Sequence, residues 1–182
     1  MNAQAGYYTK HEIGISYGFG SNSDIVNGFG GGLGKSLAGA RGENRTRIGA
    51  ISAEYFYHAS KIIGVGGIFS YARYKEDTYF GSDDTKLGAD TDNYFTVMPA
   101  VKFNWLRKNH FGMYSKLAAG VSFSSIKFED ESGNQSNSDN KTHFNWQASL
   151  VGIEAGGGAL RCFAELGIGE QGMALLGIRY KF

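Results

Sequence analysis

Disulfides, prolines and long apolar runs are what this chain lacks, and each scarcity excludes something. Cys162 is the single cysteine in 182 residues, so no internal disulfide forms. That argues against a disulfide-stapled secreted module without placing the chain in a reducing compartment. Pro99 is the single proline, and its rarity suits long paired strands, where each missing N–H breaks the ladder. No window approaches eighteen consecutive apolar residues, so no transmembrane helix is encoded. The net charge of +1 gives no strong pull toward nucleic acid or acidic lipid. His11, His58, His110 and His143 stand apart, without metal-type spacing. The length fits one domain spanning 1–182.

What the chain does have is glycine and aromatic residues, with 28 Gly, 13 Phe and 11 Tyr. They fall in segments of alternating character, the period of a strand with two unlike faces. In His11–Phe19, Ile13, Ile15, Tyr17 and Phe19 oppose Glu12, Gly14, Ser16 and Gly18. The same alternation runs through Arg47–Tyr57, Ile63–Tyr71, Thr96–Trp105, Met113–Phe123, Phe144–Leu150, Phe163–Gly169 and Leu176–Phe182. That predicts eight strands. Short turns at His58–Lys61, Leu106–His110 and Gly156–Gly158 alternate with long stretches at Ser21–Arg45, Lys75–Asp92 and Asp130–Lys141. A tight Glu170–Gly172 connection leads into the closing strand. An even count leaves both chain ends on the short-turn side, where Tyr55, Tyr57, Trp105, Tyr180 and Phe182 form an aromatic band. A soluble lipocalin-like barrel would bury its apolar face inward. Here that face carries more bulk than such a lumen holds, and the opposite face is rich in Gly and Ser. The pattern predicts an all-β, eight-stranded antiparallel up-and-down barrel with lipid outside.

The ending Gly177-Ile178-Arg179-Tyr180-Lys181-Phe182 resembles the terminal strand of bacterial outer-membrane β-barrels, which stop on an aromatic with another two residues earlier. Phe163-Ala164-Glu165-Leu166-Gly167, Met98-Pro99-Ala100-Val101-Lys102 and Tyr114-Ser115-Lys116-Leu117 extend the likeness. From about Tyr8 onward the chain looks like small porin-like barrels of the OmpA–OmpX type. The resemblance implies the outer membrane of a Gram-negative bacterium, periplasmic termini, a monomer and no cofactor. It further implies lipid and lipopolysaccharide neighbours, and an assembly machinery that reads Tyr180 and Phe182. Such families share fold and location rather than a molecular function. The role expected is therefore structural or surface-interacting, through the long loops, with a lumen too narrow for a diffusive porin and no partner among nucleic acids. The alternatives are an outer-membrane lipid-modifying enzyme or a soluble ligand-binding barrel. Asn2-Ala3-Gln4-Ala5 contains an A-x-A pattern, read either as a chance pair or as the trace of a removed export signal.

Alternation turns Glu12, Glu54, Lys102, Lys116, Glu165 and Arg179 inward, in one band near the short turns. Lys102 and Lys116 flank the Leu106–His110 turn symmetrically and should be cross-strand neighbours, with Glu54 or Glu165 supplying the acid. Arg179 should meet Glu12 or Glu165. The reading is a structural charge cluster that fills the barrel. Other motifs fail on context. Gly28–Ser36 ends like a phosphate-binding loop but has Phe29 where a glycine is needed, and Gly167–Gly172 matches G-x-G-x-x-G between two strands without a helix. His58 and His110 fall in turns and read as solvated. Asp83, Asp84, Asp90, Asp92, Asp130 and Glu131 read as acidic loops, with a chemistry that divalent ions could use.

Overall fold

The computed structural model describes residues 9–21, 40–80, 85–130 and 135–182. Eight strands occur in chain order: β1 (His11–Phe19), β2 (Ala40–His58), β3 (Ile63–Phe80), β4 (Thr85–Arg107), β5 (Phe111–Asp130), β6 (Gln135–Gly156), β7 (Leu160–Gly169) and β8 (Ala174–Lys181). Each pairs antiparallel with the next, and β8 returns to β1, closing an all-β barrel without an edge across the closure. The seam runs from Glu12 opposite Lys181 to Phe19 opposite Ala174. Beyond β8, the Phe182 N–H donates to the His11 carbonyl at 2.9 Å, and the His11 N–H returns a bond at 3.0 Å. The aromatic end residue is thus held in the ladder.

Sidedness follows the alternation. Ile15, Leu166, Leu176 and Ile178 are more than half exposed on the outer surface, while Gly14, Ser16, Glu165, Leu175 and Arg179 beside them are buried. Such continuous apolar exterior is foreign to a protein surrounded by water and suits a hydrocarbon one. Inside, Phe56, Ile68, Met98, Ala100 and Ala118 form a compact apolar cluster on β2 to β5. Glycine makes room for large neighbours: a Cβ on Gly152 would stand 2.5 Å from the Tyr114 ring.

One expectation about the chain path is corrected. Lys75–Asp92 and Asp130–Lys141 are mostly strand, not loop: β3 runs on to Phe80, β4 starts at Thr85, β5 runs to Asp130 and β6 starts at Gln135. The apolar signal ends early because it marks only strand with a greasy outer face, whereas the ladder is made of backbone hydrogen bonds that need no such face. Strands β2 to β6 therefore have 18–23 residues, against roughly 9–11 for a tilted bilayer crossing. β1, β7 and β8, with 8–10 residues, are crossing-length only. The long strands stand well beyond the others at the end opposite the short turns. Of the Ser21–Arg45 stretch, 40–45 belong to β2; its other residues from 22, the glycine-rich Gly28–Ser36 motif and the A-x-A pattern lie outside the described residues, as do Asp83, Asp84 and Glu131.

Beyond the alternation that ends at Leu150, the strand changes phase. Strand β6 contains a bulge, visible as a register shift against β5 between Tyr114 and Lys116 and against β7 at Ser149–Val151. Asn145, Gln147 and Ser149 point inward, Leu150 and Val151 both point out, and Gly152 and Glu154 point inward again. One extra residue has switched the face of everything after it.

Candidate functional site in the charged lumen

Near the short-turn end the lumen is filled by charged and polar side chains, all almost completely removed from solvent. Strand β1 supplies Glu12, β2 Glu54 and His58, β4 Lys102, β5 Lys116 and Tyr114, β6 Glu154, β7 Arg161 and Glu165, and β8 Arg179 and Lys181. Lys102 and Lys116 are direct cross-strand neighbours. Each has its own acid: Lys102 Nζ lies 2.6 Å from Glu12 Oε1, and Lys116 Nζ lies 2.9 Å from both Glu54 Oε2 and Glu165 Oε2. Tyr114 separates the two ammonium groups chemically. Its ring lies 3.9 Å below Lys102 Nζ, and its hydroxyl donates to Glu165 Oε1 at 2.7 Å. Ser149 Oγ donates to the other Glu165 oxygen at 2.6 Å.

Arg179 is the hub. Its Nη1 donates to Glu154 Oε2 at 2.7 Å, and its Nη2 donates to Glu54 Oε1 and to Tyr114 Oη at 3.1 Å. Its guanidinium also lies 4.2 Å from the Phe163 ring centre. Glu12 and Glu165 are at 3.4 and 3.8 Å, so the tightest partners are Glu54 and Glu154 rather than the two acids on the adjoining strands. Across a closed barrel, long side chains reach over the lumen as readily as along the sheet.

Besides Tyr114, sequence reasoning missed four members. Glu154 was hidden by the bulge, and the adjacent apolar pair Leu150-Val151 was its one signal. It binds Arg161 at 2.8 Å, Arg179 at 2.7 Å and Lys181. Arg161 and Lys181 alternate in phase with Glu165 and Arg179 and were legible as inward. His58 is a correction: it is not a solvated turn residue but the last residue of β2, buried, with Nε2 2.9 Å from Glu12 Oε2. The strand runs one residue further than the apolar pattern. His110 does sit exposed in its turn, with Nδ1 3.1 Å from the Gly156 carbonyl oxygen.

Among the described residues the cluster joins five cations to four carboxylates. Burying charge is costly and is offset only by dense pairing and hydrogen bonding. No group of three or more His, Cys, Asp or Glu among the described residues could hold a metal ion.

Toward the end opposite the short turns lies a second network, of polar side chains and Glu170. The Glu170–Gly172 connection folds inward instead of forming a surface turn, and Glu170 and Gln171 are buried. Asn145 Nδ2 donates to Glu170 Oε2 at 2.7 Å and to Ser122 Oγ at 3.0 Å, and the Gln171 N–H donates to Gln147 Oε1 at 2.8 Å. Gly169 and Gly172, with φ of 141° and 121°, permit that inward fold. The G-x-G-x-x-G spacing is thus a β7–β8 connection. The aromatic residues of the short-turn end are outward: Tyr55, Tyr57, Trp105, Tyr180 and Phe182 are all exposed. His11 gathers several of them, with ring centres 5.2 Å from Tyr57 and 5.5 Å from Phe182.

No family model and no curated protein matches the chain. Solved structures do. The crystal structure of Ail, the attachment invasion locus protein of Yersinia pestis, superposes with a TM-score of 0.51 at 15% identity, covering 96% of this chain and 99% of that one. Ail in complex with the heparin analogue sucrose octasulfate gives 0.50 at 18% identity, covering 96% and 97%. The chain shares the eight-stranded barrel fold over nearly its whole length.

Proposed function

We propose that this chain, on the fold it shares with Ail, is a non-enzymatic barrel of the bacterial outer membrane that meets external partners through its long strands. The single observation that carries the reading is the uneven height of the wall. Five strands of 18–23 residues rise beyond three of 8–10. A passive plug in lipid needs no such extension, and surface display is what it supplies. The short-turn end, with both chain ends and the aromatic band, then faces the periplasm. Outer-membrane lipid and lipopolysaccharide surround the apolar face, and Tyr180 and Phe182 close the strand that the assembly machinery reads. The name of Ail refers to attachment and invasion, which agrees with a surface role here.

The lumen does not conduct in this reading. Charged network, apolar cluster and the inward connection together fill the interior with buried side chains, and an eight-stranded barrel is only wide enough for its own side chains. Planar-bilayer recordings of refolded protein should show no stable large conductance; reproducible nanosiemens steps would overturn the closed lumen. Surface display is tested on whole cells carrying the chain. Retention on heparin-coated beads should fall when the β3–β4 and β5–β6 strand extensions are cut to crossing length. Equal retention of the full and shortened forms would sink the surface role.

A further inference from the structure

We propose that the short-turn end of the barrel carries a binding cleft for a phosphate-bearing anion. An open cleft of about 710 Å³ lies across this mouth, within the range of roughly 300–1,000 Å³ typical of small-molecule sites. Lys61 of the β2–β3 turn, Arg107, Lys108 and His110 around the β4–β5 turn, and Arg161 and Lys181 from the barrel floor all line it. No Asp or Glu side chain does. The inner two cations are already committed: Arg161 and Lys181 both bind Glu154. Lys61 and Lys108 stand exposed at the rim with no carboxylate lining the cleft beside them.

The charge separation is global. The short turns 59–62, 108–110 and 157–159, together with Thr9, Lys10 and Phe182, carry no Asp or Glu side chain. Among the described residues, apart from the buried lumen carboxylates, every Asp and Glu falls toward the opposite end of the barrel. The side chains that line the cleft therefore carry charge of one sign, with Glu154 buried beneath them, and that lining attracts an incoming anion. The cleft is also built rather than draped. Arg161 Nη2 donates to the carbonyls of Lys108 and Asn109 at 3.0 and 2.8 Å, pinning the turn that carries Lys108. Arg161 Nε is buried and has no hydrogen-bond partner among the described residues. Arg107 Nη2 donates to the Thr9 carbonyl at 2.8 Å, tying the start of the chain to the same rim.

Guanidinium and ammonium groups together favour phosphate over a lone carboxylate, since several oxygens can be met at once. Tyr180 and Phe182 line the cleft and belong to the outward aromatic band, so the opening lies at the depth of lipid headgroups. A phospholipid headgroup and a soluble phosphate compound offer the same chemistry. The inference uses the barrel fold and not the direction of insertion or the surface role.

The test uses the full chain refolded in a phosphate-free detergent. Calorimetric titration with inorganic pyrophosphate reads a soluble source, and native mass spectrometry with added phosphatidylglycerol reads a lipid source. In at least one arm, binding of one equivalent is expected. It should weaken by about tenfold or more in the K61Q/K108Q double variant, which removes two exposed charges from the turns. Arg73→Gln, a control on the outer wall, should bind like the parent. Heat-modifiable migration confirms that each variant is folded. Saturable binding in the pyrophosphate arm assigns a soluble phosphate, and binding in the lipid arm alone assigns a headgroup. No binding in either arm, or binding that survives in the double variant, overturns the proposal.

Discussion

Arg179 Nη1 donates to Glu154 Oε2 at 2.7 Å, joining the closing strand to β6 across the lumen. The two residues meet only because the Leu150–Val151 bulge turns Glu154 inward. A carboxylate thus enters the network through a backbone irregularity rather than through the alternation of its strand.

That dependence makes Glu154→Ala a severe substitution. It leaves Arg161, Arg179 and Lys181 sharing too few acids, and breaking a buried pair from one side costs about 3–5 kcal/mol. Denaturant-induced unfolding in detergent should shift accordingly, whereas Glu154→Gln should lose less by keeping the hydrogen bonds. Parent-like unfolding of the alanine variant would contradict the network's structural role.

Deleting Val151 should be worse than truncating it. The deletion removes the extra residue and would swing Glu154 to the outer face, since one step inverts a strand. Refolding yield, read as the heat-modifiable band, should collapse for the deletion and persist for Val151→Ala.

Glycine positions give a paired comparison. A methyl group on Gly152 meets the Tyr114 ring, while one on Gly157 has open space around it. Gly152→Ala should cost roughly 1–3 kcal/mol through overpacking, and Gly157→Ala should leave the unfolding midpoint unmoved.

The outer face has its own probe. Ile15 and Ile178 are cross-strand partners, both more than half exposed. Ile15→Arg should destabilise the barrel in lipid bilayers by about 2–4 kcal/mol, with Ile15→Ala much milder. Equal stability of the arginine variant in bilayers would argue against lipid at this surface.

The closing strand separates assembly from stability. Phe182→Ala keeps the backbone bonds to His11 and removes an exposed ring. If Phe182 serves as the assembly signal, the variant should refold normally in detergent yet reach the outer membrane of cells in reduced amount. Undiminished membrane levels would remove that role.

Much of this was legible in the chain itself. Period-2 alternation, scarce proline and the aromatic ending defined eight crossing segments and the face on which Glu12, Glu54, Lys102, Lys116, Glu165 and Arg179 lie. These are local properties, because a strand's two faces are written in consecutive residues. Tertiary structure alone decided the rest. The bulge that recruits Glu154, the lengths of β2 to β6 beyond their apolar stretch, the burial of His58 and the inward fold of Glu170 each depend on pairing with distant strands. So does the choice of Glu54 and Glu154 as the nearest partners of Arg179. Closure fixes which side chains share a height in the lumen, and that stagger arises from hydrogen-bond register among all eight strands, which no single segment encodes.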